Sequence, residues 1–266
     1  MLRITDARTG EPAEIRRALT RVHAQVPRDD TSALRVLLVA DVLARALELG
    51  GSPVLLVADP PAALRERADG LGVRATEAAA TGSGRLVLHV VGSGEPVGDG
   101  TGDRAGLRAG TGDDVNLRAG TGDDVSLRAG TGDGVEADVR VEVAPVTGPE
   151  EPAASGTALR LALLAHPRRA PVTLHATALA EAADALDHWR KAVAAWATRP
   201  SRPVPEPVRQ ALRAAWEDDL DVPAVLDVLR DVEGARDMPD GARFETYAYA
   251  DRLLGLELTR EIGASA

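Results

Sequence analysis

Three near-identical decapeptides in the middle of the chain divide it into two parts. They read LRAGTGDDVN, LRAGTGDDVS and LRAGTGDGVE at residues 107–116, 117–126 and 127–136, and a decayed copy precedes them at residues 98–106. Each unit has one leucine and one valine, too little apolar surface to offset the entropy of ordering the chain. A calcium-binding β-roll is the alternative, but the period of ten and the missing Gly-Gly-x-Gly-x-Asp register disfavour it. The sequence therefore predicts a linker over residues 97–136.

The part before the repeats has the pattern of a parallel α/β domain. Short apolar or alternating segments, typical of strands, take turns with stretches whose apolar residues recur every three or four positions. Thr31 or Ser32 is the expected cap of the first helix. This order predicts an α/β domain over residues 1–96. The expected strands lie at residues 19–26, 54–58 and 86–91, and the expected helices at residues 31–50 and 62–70.

The part after the repeats predicts one more strand and then helices. Residues 137–146 alternate apolar and polar positions, so residues 137–155 are expected to complete the α/β part. Trp189 and Trp196 fall on the apolar seam of a long helix, which indicates an all-α helical bundle over residues 156–266. The expected helices lie at residues 157–166, 176–198, 206–220, 222–232 and 243–254.

The composition excludes several classes of function. The chain has no cysteine, which rules out a thiolate nucleophile, an iron–sulfur cluster and every cysteine-containing zinc site. Its net charge is −10 and it has a single lysine, Lys191, a poor match for a protein that binds nucleic acid by neutralising phosphates. No apolar stretch is long enough to span a bilayer, and the first residues do not read as a signal peptide. We therefore expect a cytoplasmic protein.

Several segments, in order along the chain, resemble the cysteinyl-tRNA synthetases and the mycothiol-pathway cysteine ligases derived from them. In the second half the segments are LRLALLAHPRR (159–169), LDHWRKAV (186–193), DDLDVPAVL (218–226) and LLGLEL (253–258). In the first half, LRITDARTGEPAEI resembles the opening strand and hairpin of the family, and DVLARALELGGSPVLLVADP resembles a helix and strand of its nucleotide-binding fold. The resemblance implies a truncated Rossmann-like domain of the class I synthetase type, followed by a helical bundle.

The residues that the resemblance implies for catalysis are replaced. A His-x-Gly-His signature that binds ATP should begin the first long helix, but the corresponding positions hold Asp30, Thr31, Ser32 and Ala33. The Lys-Met-Ser-Lys-Ser loop is replaced by GPEE at residues 148–151, acidic instead of basic. The zinc ion of the family is held partly by cysteines, so its site cannot exist in that form. The sequence therefore predicts a family member that has lost its reaction, with a vestigial nucleotide signature.

The histidines offer few catalytic candidates. His23 falls near the position of the first zinc ligand in the family, but one imidazole does not make a zinc site. His89 lies inside an apolar strand, where a hydrogen-bonded core histidine is expected. His166 could meet a phosphate together with Arg168 and Arg169, and the alternative is a helix end enriched in cations.

Two further groups of side chains have structural interpretations. Asp221 precedes Val222 and Pro223, as in a helix N-cap, so the carboxylates of Asp218 and Asp219 beside it are expected to be structural too. The tryptophans are expected in the core, and an exposed Tyr249 would mark a protein contact.

Three hypotheses about function follow. The first is a catalytically inactive binding or regulatory module that contacts a protein partner through the helical bundle, with no cofactor, no membrane and no nucleic acid. The first alternative is an ATP-dependent cysteine or amino-acid ligase that forms an aminoacyl adenylate with non-standard residues and uses ATP but not zinc. It requires Arg160, Arg168 and Arg169 to point into an open Rossmann cleft. The second alternative is a tRNA-binding accessory protein with a basic stripe of Arg190, Lys191 and Arg199.

Overall fold

A computed structural model describes residues 1–77, 86–94, 137–148 and 156–263 of the chain. The decapeptide repeats, and residues 149–151 of the acidic loop, lie outside the described residues. The strands are β1 (Arg3–Thr5), β2 (Pro12–Glu14), β3 (Thr20–Gln25), β4 (Val54–Val57), β5 (Leu86–Gly92), β6 (Ala137–Val143), β7 (Val146–Thr147) and β8 (Val172–Thr173). The helices are α1 (Thr31–Leu49), α2 (Ala62–Gly70), α3 (Gly156–Leu164), α4 (Ala176–Trp196), α5 (Glu206–Glu217), α6 (Val222–Gly234) and α7 (Asp240–Leu254).

A four-stranded parallel sheet forms the centre of the described α/β part, in the order β4-β3-β5-β6. The mixed α/β class and the parallel strands confirm that part of the sequence prediction. An antiparallel hairpin of β1 and β2 precedes the sheet, and β7 pairs with β8 in parallel. The expected strand over residues 137–146 is wrong in extent, because it ends at Val143 and the chain resumes pairing at Val146 with a different partner, β8. Strand β8 also lies within residues 156–266, which were expected to contain only helices.

Helix α1 is buried on almost every side. It packs on the sheet face that carries Val22, Leu88 and Val141, and it also contacts α2 and α7. A helix that is apolar on all sides is typical of the centre of a fold. Helix α1 also buries two charged residues, Arg35 and Asp41. Because buried charges are costly unless they are paired, both must find partners inside the protein.

Asp41 lies at the centre of a buried charge network. Its Oδ2 atom is 2.8 Å from Nη2 of Arg160 on α3, and both side chains are fully buried. Arg45 and Arg74 each place Nε 2.9 Å from the same carboxylate. Nε of Arg160 also donates to the carbonyl of Leu254 at 2.6 Å, so one guanidinium joins α1, α3 and the end of α7. Burial opposes ionisation of Asp41, but Arg160 and Arg45 outweigh it and lower the pKa of this carboxyl.

The helices after Gly156 enclose the tryptophans. Trp189 and Trp216 are buried, and Trp196 is partly buried with its ring 5.1 Å from that of Tyr247. Tyr249 does not meet the condition for a protein contact, since it is partly buried with its ring 5.7 Å from that of Trp216. None of the helices that the structure describes is both long and apolar enough to cross a membrane.

We expect Asp41→Asn to lower the free energy of unfolding by about 3–5 kcal/mol, because it leaves the buried Arg160 guanidinium without a counter-charge. Urea unfolding monitored by circular dichroism at pH 7 measures the change. Since the pKa of Asp41 is lowered on folding, its ionised form stabilises the protein above the unfolded pKa, and this contribution is lost as the pH falls through the folded pKa. The difference in free energy of unfolding between wild type and Asp41→Asn should therefore persist at neutral pH and become smaller in acid. An unchanged free energy at pH 7 would contradict this account of the network.

Candidate functional site

The start of α1 is the first candidate site. It follows the carboxyl end of β3, and ligands of open parallel sheets bind at that edge. Asp30 is the N-cap of α1, in an extended conformation, and its Oδ1 accepts a hydrogen bond from the amide of Ala33 at 2.7 Å. The expectation that Thr31 or Ser32 caps this helix is therefore wrong. The Asp30 carboxylate satisfies a free N–H and also complements the positive end of the helix dipole, so it is the stronger cap.

The hydroxyl groups at the start of α1 are also engaged. Ser32 Oγ donates to the carbonyl of Val146 at 3.3 Å and accepts from its amide at 3.0 Å, which ties α1 to β7. Thr31 Oγ1 accepts from Nη2 of Arg67 on α2 at 3.2 Å, and Nη1 of Arg67 lies 3.4 Å from Asp29. The side chains of Asp30, Thr31 and Ser32 and the amide of Ala33 are thus all engaged in contacts within the protein.

Arg35 lies one turn further along α1 and its side chain is 1% exposed. Its Nη1 donates to the carbonyls of Ala144 and Ala170 at 2.9 and 2.8 Å. Its Nη2 donates to the carbonyl of Pro167 at 2.8 Å, in the turn that follows α3. Burial lowers the pKa of Arg35 to about 10, so it stays protonated at neutral pH. We call Ser32, Arg35 and the carbonyls of Ala144, Val146 and Pro167 the α1 joint.

Arg168, the first of the two predicted phosphate contacts, is used as an internal link. Its side chain is 5% exposed, and its Nη1 donates to the carbonyl of Glu142 at 2.7 Å. Its Nη2 pairs with the carboxylate of Asp219, and its Nε donates to the carbonyl of the same residue at 3.3 Å. Burial lowers the pKa of Arg168, and Asp219 opposes this shift.

Arg169, the second predicted phosphate contact, is exposed. It lines a pocket of about 230 Å³ together with the carboxylates of Asp218, Asp219 and Asp221. Arg168 also lines the pocket, but it is paired with Asp219. A phosphate would therefore meet three acidic residues beside one exposed guanidinium, so the pocket does not have the charge of a phosphate site.

The Asp218–Asp221 loop has a structural role, as the sequence predicts. Asp221 is the N-cap of α6 and accepts from the amide of Ala224 at 3.1 Å. Asp219 has a positive φ of 55°, a costly conformation for a residue other than glycine. Its amide donates to the carbonyl of Arg3, and its Oδ1 accepts from the amide of Thr5 at 2.8 Å. These contacts to β1, with the ion pair to Arg168, hold the loop in that conformation.

The histidines of β3 and β5 lie on the sheet face opposite α1. His89 Nδ1 is 3.2 Å from Nε2 of Gln25, and its Nε2 is 3.0 Å from Oδ1 of Asp138 on β6. His89 is hydrogen-bonded as predicted, although it is partly exposed and not a core residue. His23 lies beside it, with the ring centroids 5.6 Å apart. Arg21 shares this face and was missed by sequence analysis. The alternating pattern of β3 indicates on which face of the sheet a residue lies, but not which residues it contacts.

No group of three or more His, Asp or Glu side chains among the described residues is arranged to hold a metal ion. The single imidazole of His23, with no thiolate beside it, does not fit the zinc site that the resemblance implies.

The chain matches no protein-family model and is not significantly similar to any curated protein. Function is therefore inferred from the residues of the α1 joint and of the sheet face opposite α1.

We expect Arg35→Met to lower the free energy of unfolding by at least about 3 kcal/mol, because the carbonyls of Ala144, Ala170 and Pro167 each lose a hydrogen bond from a charged donor. Arg16→Met is the matched control, since Arg16 is exposed and its substitution should change stability by less than about 0.5 kcal/mol. Urea unfolding of the three proteins provides the comparison. Equal stability of Arg35→Met and wild type would show that the α1 joint does not hold the fold together.

Proposed function

We propose that the chain is a catalytically inactive relative of the cysteinyl-tRNA synthetases and mycothiol-pathway cysteine ligases, and that it acts as a binding or regulatory module. The observation that carries this proposal is the closed start of α1. The Asp30 carboxylate occupies the helix N-terminus at 2.7 Å from the amide of Ala33, where an active relative would accept phosphate groups.

A phosphate group at the start of α1 would be opposed in two ways. A phosphate that entered would displace the Asp30 cap, at a cost of about 1 kcal/mol. It would also meet the carboxylates of Asp29 and Asp30. Bare like charges 4 Å apart repel by about 1–4 kcal/mol at effective dielectric constants from 80 down to 20. The repulsion here is smaller, because Arg67 and Arg28 each lie 3.4 Å from one of these carboxylates. Adenylate formation needs donors directed at the charge that develops on the phosphates, and Arg35 and Arg168 direct their guanidinium groups to carbonyls instead.

The proposal extends to the domain organisation. We interpret the four-stranded sheet with α1 as a truncated Rossmann-like domain over residues 1–96, completed by residues 137–155. Helices α3 to α7 would form the helical bundle over residues 156–266. The strand order β4-β3-β5-β6 and the contacts of α4 and α6 with α7 support this interpretation.

The partner that we propose is a cytoplasmic protein bound through the helices. The large hydrophobic side chains exposed among the described residues are Met1, Leu19 and Ile262, and none of them lies on α3 to α7. The helix surfaces carry ion pairs instead, such as Arg230 with Asp227 at 2.5 Å. A partner of these helices would therefore be recognised mainly by polar and charged contacts, which favours a reversible complex.

The alternative of an active ligase would require Arg160, Arg168 and Arg169 in an open cleft. Arg160 is fully buried against Asp41, and Arg168 is held by Asp219 and the carbonyl of Glu142. Of the three cations only Arg169 is exposed, which disfavours this alternative.

The alternative of a tRNA-binding protein would require a free basic stripe. Arg190 donates to the carbonyl of Leu256 at 2.7 Å, and Lys191 lies 2.5 Å from Asp187. Arg199 lies 3.8 Å from Asp240. Neighbouring acceptors therefore engage each cation of the stripe, and protein remains the favoured partner.

We expect isothermal calorimetry to show no ATP binding tighter than about 100 μM, which corresponds to about 5.5 kcal/mol, with or without cysteine. A pyrophosphate-exchange assay with ATP and cysteine should show no activity above background, with an active cysteinyl-tRNA synthetase as the positive control. Tighter binding together with exchange would contradict the proposal and establish the ligase alternative.

A further inference from the structure

The second face of the parallel sheet carries an arginine with an unsatisfied buried donor. Side chains of a strand alternate between its two faces. Val22 and Ala24 of β3 lie in the core under α1, so Arg21, His23 and Gln25 point to the opposite face. Nε of Arg21 is buried and has no hydrogen-bond partner, the one such side-chain nitrogen or oxygen within the described ranges. An orphaned buried donor is rare in proteins and calls for an acceptor.

Among the described residues, the Arg21 guanidinium also has no carboxylate partner. In the register of the sheet, Arg21 lies between Leu55 of β4 and Val87 of β5, and Val87 is buried. Since apolar neighbours lower the local dielectric constant, an anion here would be attracted more strongly than at an open surface.

His23 supplies a second donor on the same face. It lies between Val57 of β4 and His89 of β5, and its imidazole forms no hydrogen bond with the residues that the structure describes. Burial lowers the pKa of His23, and His89 and Arg21 lower it further. A neutral imidazole has one N–H donor. Since His23 is two residues from Arg21 along an extended strand, about 6.6 Å away, one oxyanion can contact both side chains.

The neighbouring charged groups leave Arg21 and His23 available. On β5, His89 is held by Gln25 and by Asp138. On β6, Asp138 is directed to His89, and Arg140 and Glu142 lie further along the same face. The facing residues of β4, Leu55 and Val57, are uncharged.

We propose that Arg21 and His23 form a binding site for an oxyanion, a carboxylate or a phosphate group, on the sheet face opposite α1. The planar guanidinium matches the oxygens of either group. The site lies on the other face of the sheet from the core residues under α1, so it depends neither on the α1 joint nor on the proposed function.

Titration of the intact protein with inorganic phosphate and, separately, with acetate tests the site. The side-chain NMR resonances of His23, assigned by their loss in His23→Gln, provide a local readout. We expect a saturable shift of these resonances and a higher pKa of His23 with anion bound, because the bound negative charge favours the imidazolium. Saturation by phosphate alone assigns a phosphate group, and saturation by acetate assigns a carboxylate. No saturable shift up to about 50 mM of either anion, where a millimolar Kd would be visible, overturns the proposal.

Two variants localise the effect. Arg21→Gln should weaken anion binding at least about tenfold, a factor that corresponds to one lost charge-assisted contact. Arg21→Lys, which keeps the charge but not the fork, should bind with intermediate affinity. Arg16→Gln, an exposed arginine upstream in the chain, should bind like wild type. Circular dichroism confirms that each variant is folded, and equal anion affinity of wild type and Arg21→Gln would overturn the proposal.

Discussion

The described fold depends on a buried positive charge that is neutralised by carbonyl dipoles. Arg35 enters the core from α1 and donates to carbonyls after β6 and after α3, at 2.8–2.9 Å for the three shortest bonds. Such a charge would be prohibitively costly without these acceptors. Because the acceptors come from segments far apart in the chain, the guanidinium fixes the start of α1 against both. The hydrogen bonds of Ser32 with Val146 then complete the α1 joint.

Arginine performs the same task elsewhere in the structure. Arg160 joins α1, α3 and the end of α7 through Asp41 and the carbonyl of Leu254. Arg168 joins the end of β6 to the loop before α6 through Glu142 and Asp219. A chain with a single lysine and only 2% aromatic residues thus uses planar guanidinium groups, which bind several acceptors at once, as cross-links of its core. These links engage the guanidinium groups of Arg35 and Arg168 with acceptors inside the protein, which supports the proposal of an inactive relative.

The sequence predicted the elements whose signals are local. The apolar stripe of α1, the short runs of β4 and β5, and the cap of α6 at Asp221 all lie within one or two residues of their expected positions. Helix α7 ends at Leu254, the expected residue, and Gly255 follows it with a φ of 61°, a left-handed conformation that suits glycine. What the sequence did not predict depends on contacts between distant segments. The pairing of β7 with β8 needs two short segments to meet, and the choice of Asp30 over Thr31 as the cap depends on where the preceding loop places it. Whether Nε of Arg21 finds a hydrogen-bond acceptor depends on the side chains of the neighbouring strands, which the sequence of β3 does not indicate.

Amide hydrogen exchange at the start of α1, with and without saturating ATP, tests the central claim that this helix end is closed from within. The amide of Ala33 bonds to the Asp30 side chain and that of Leu34 to the Asp30 carbonyl. The account predicts that both amides are protected without ATP and that ATP leaves their exchange unchanged. Rapid exchange that slows when ATP is added would show an open helix end that binds phosphate, and would contradict the account.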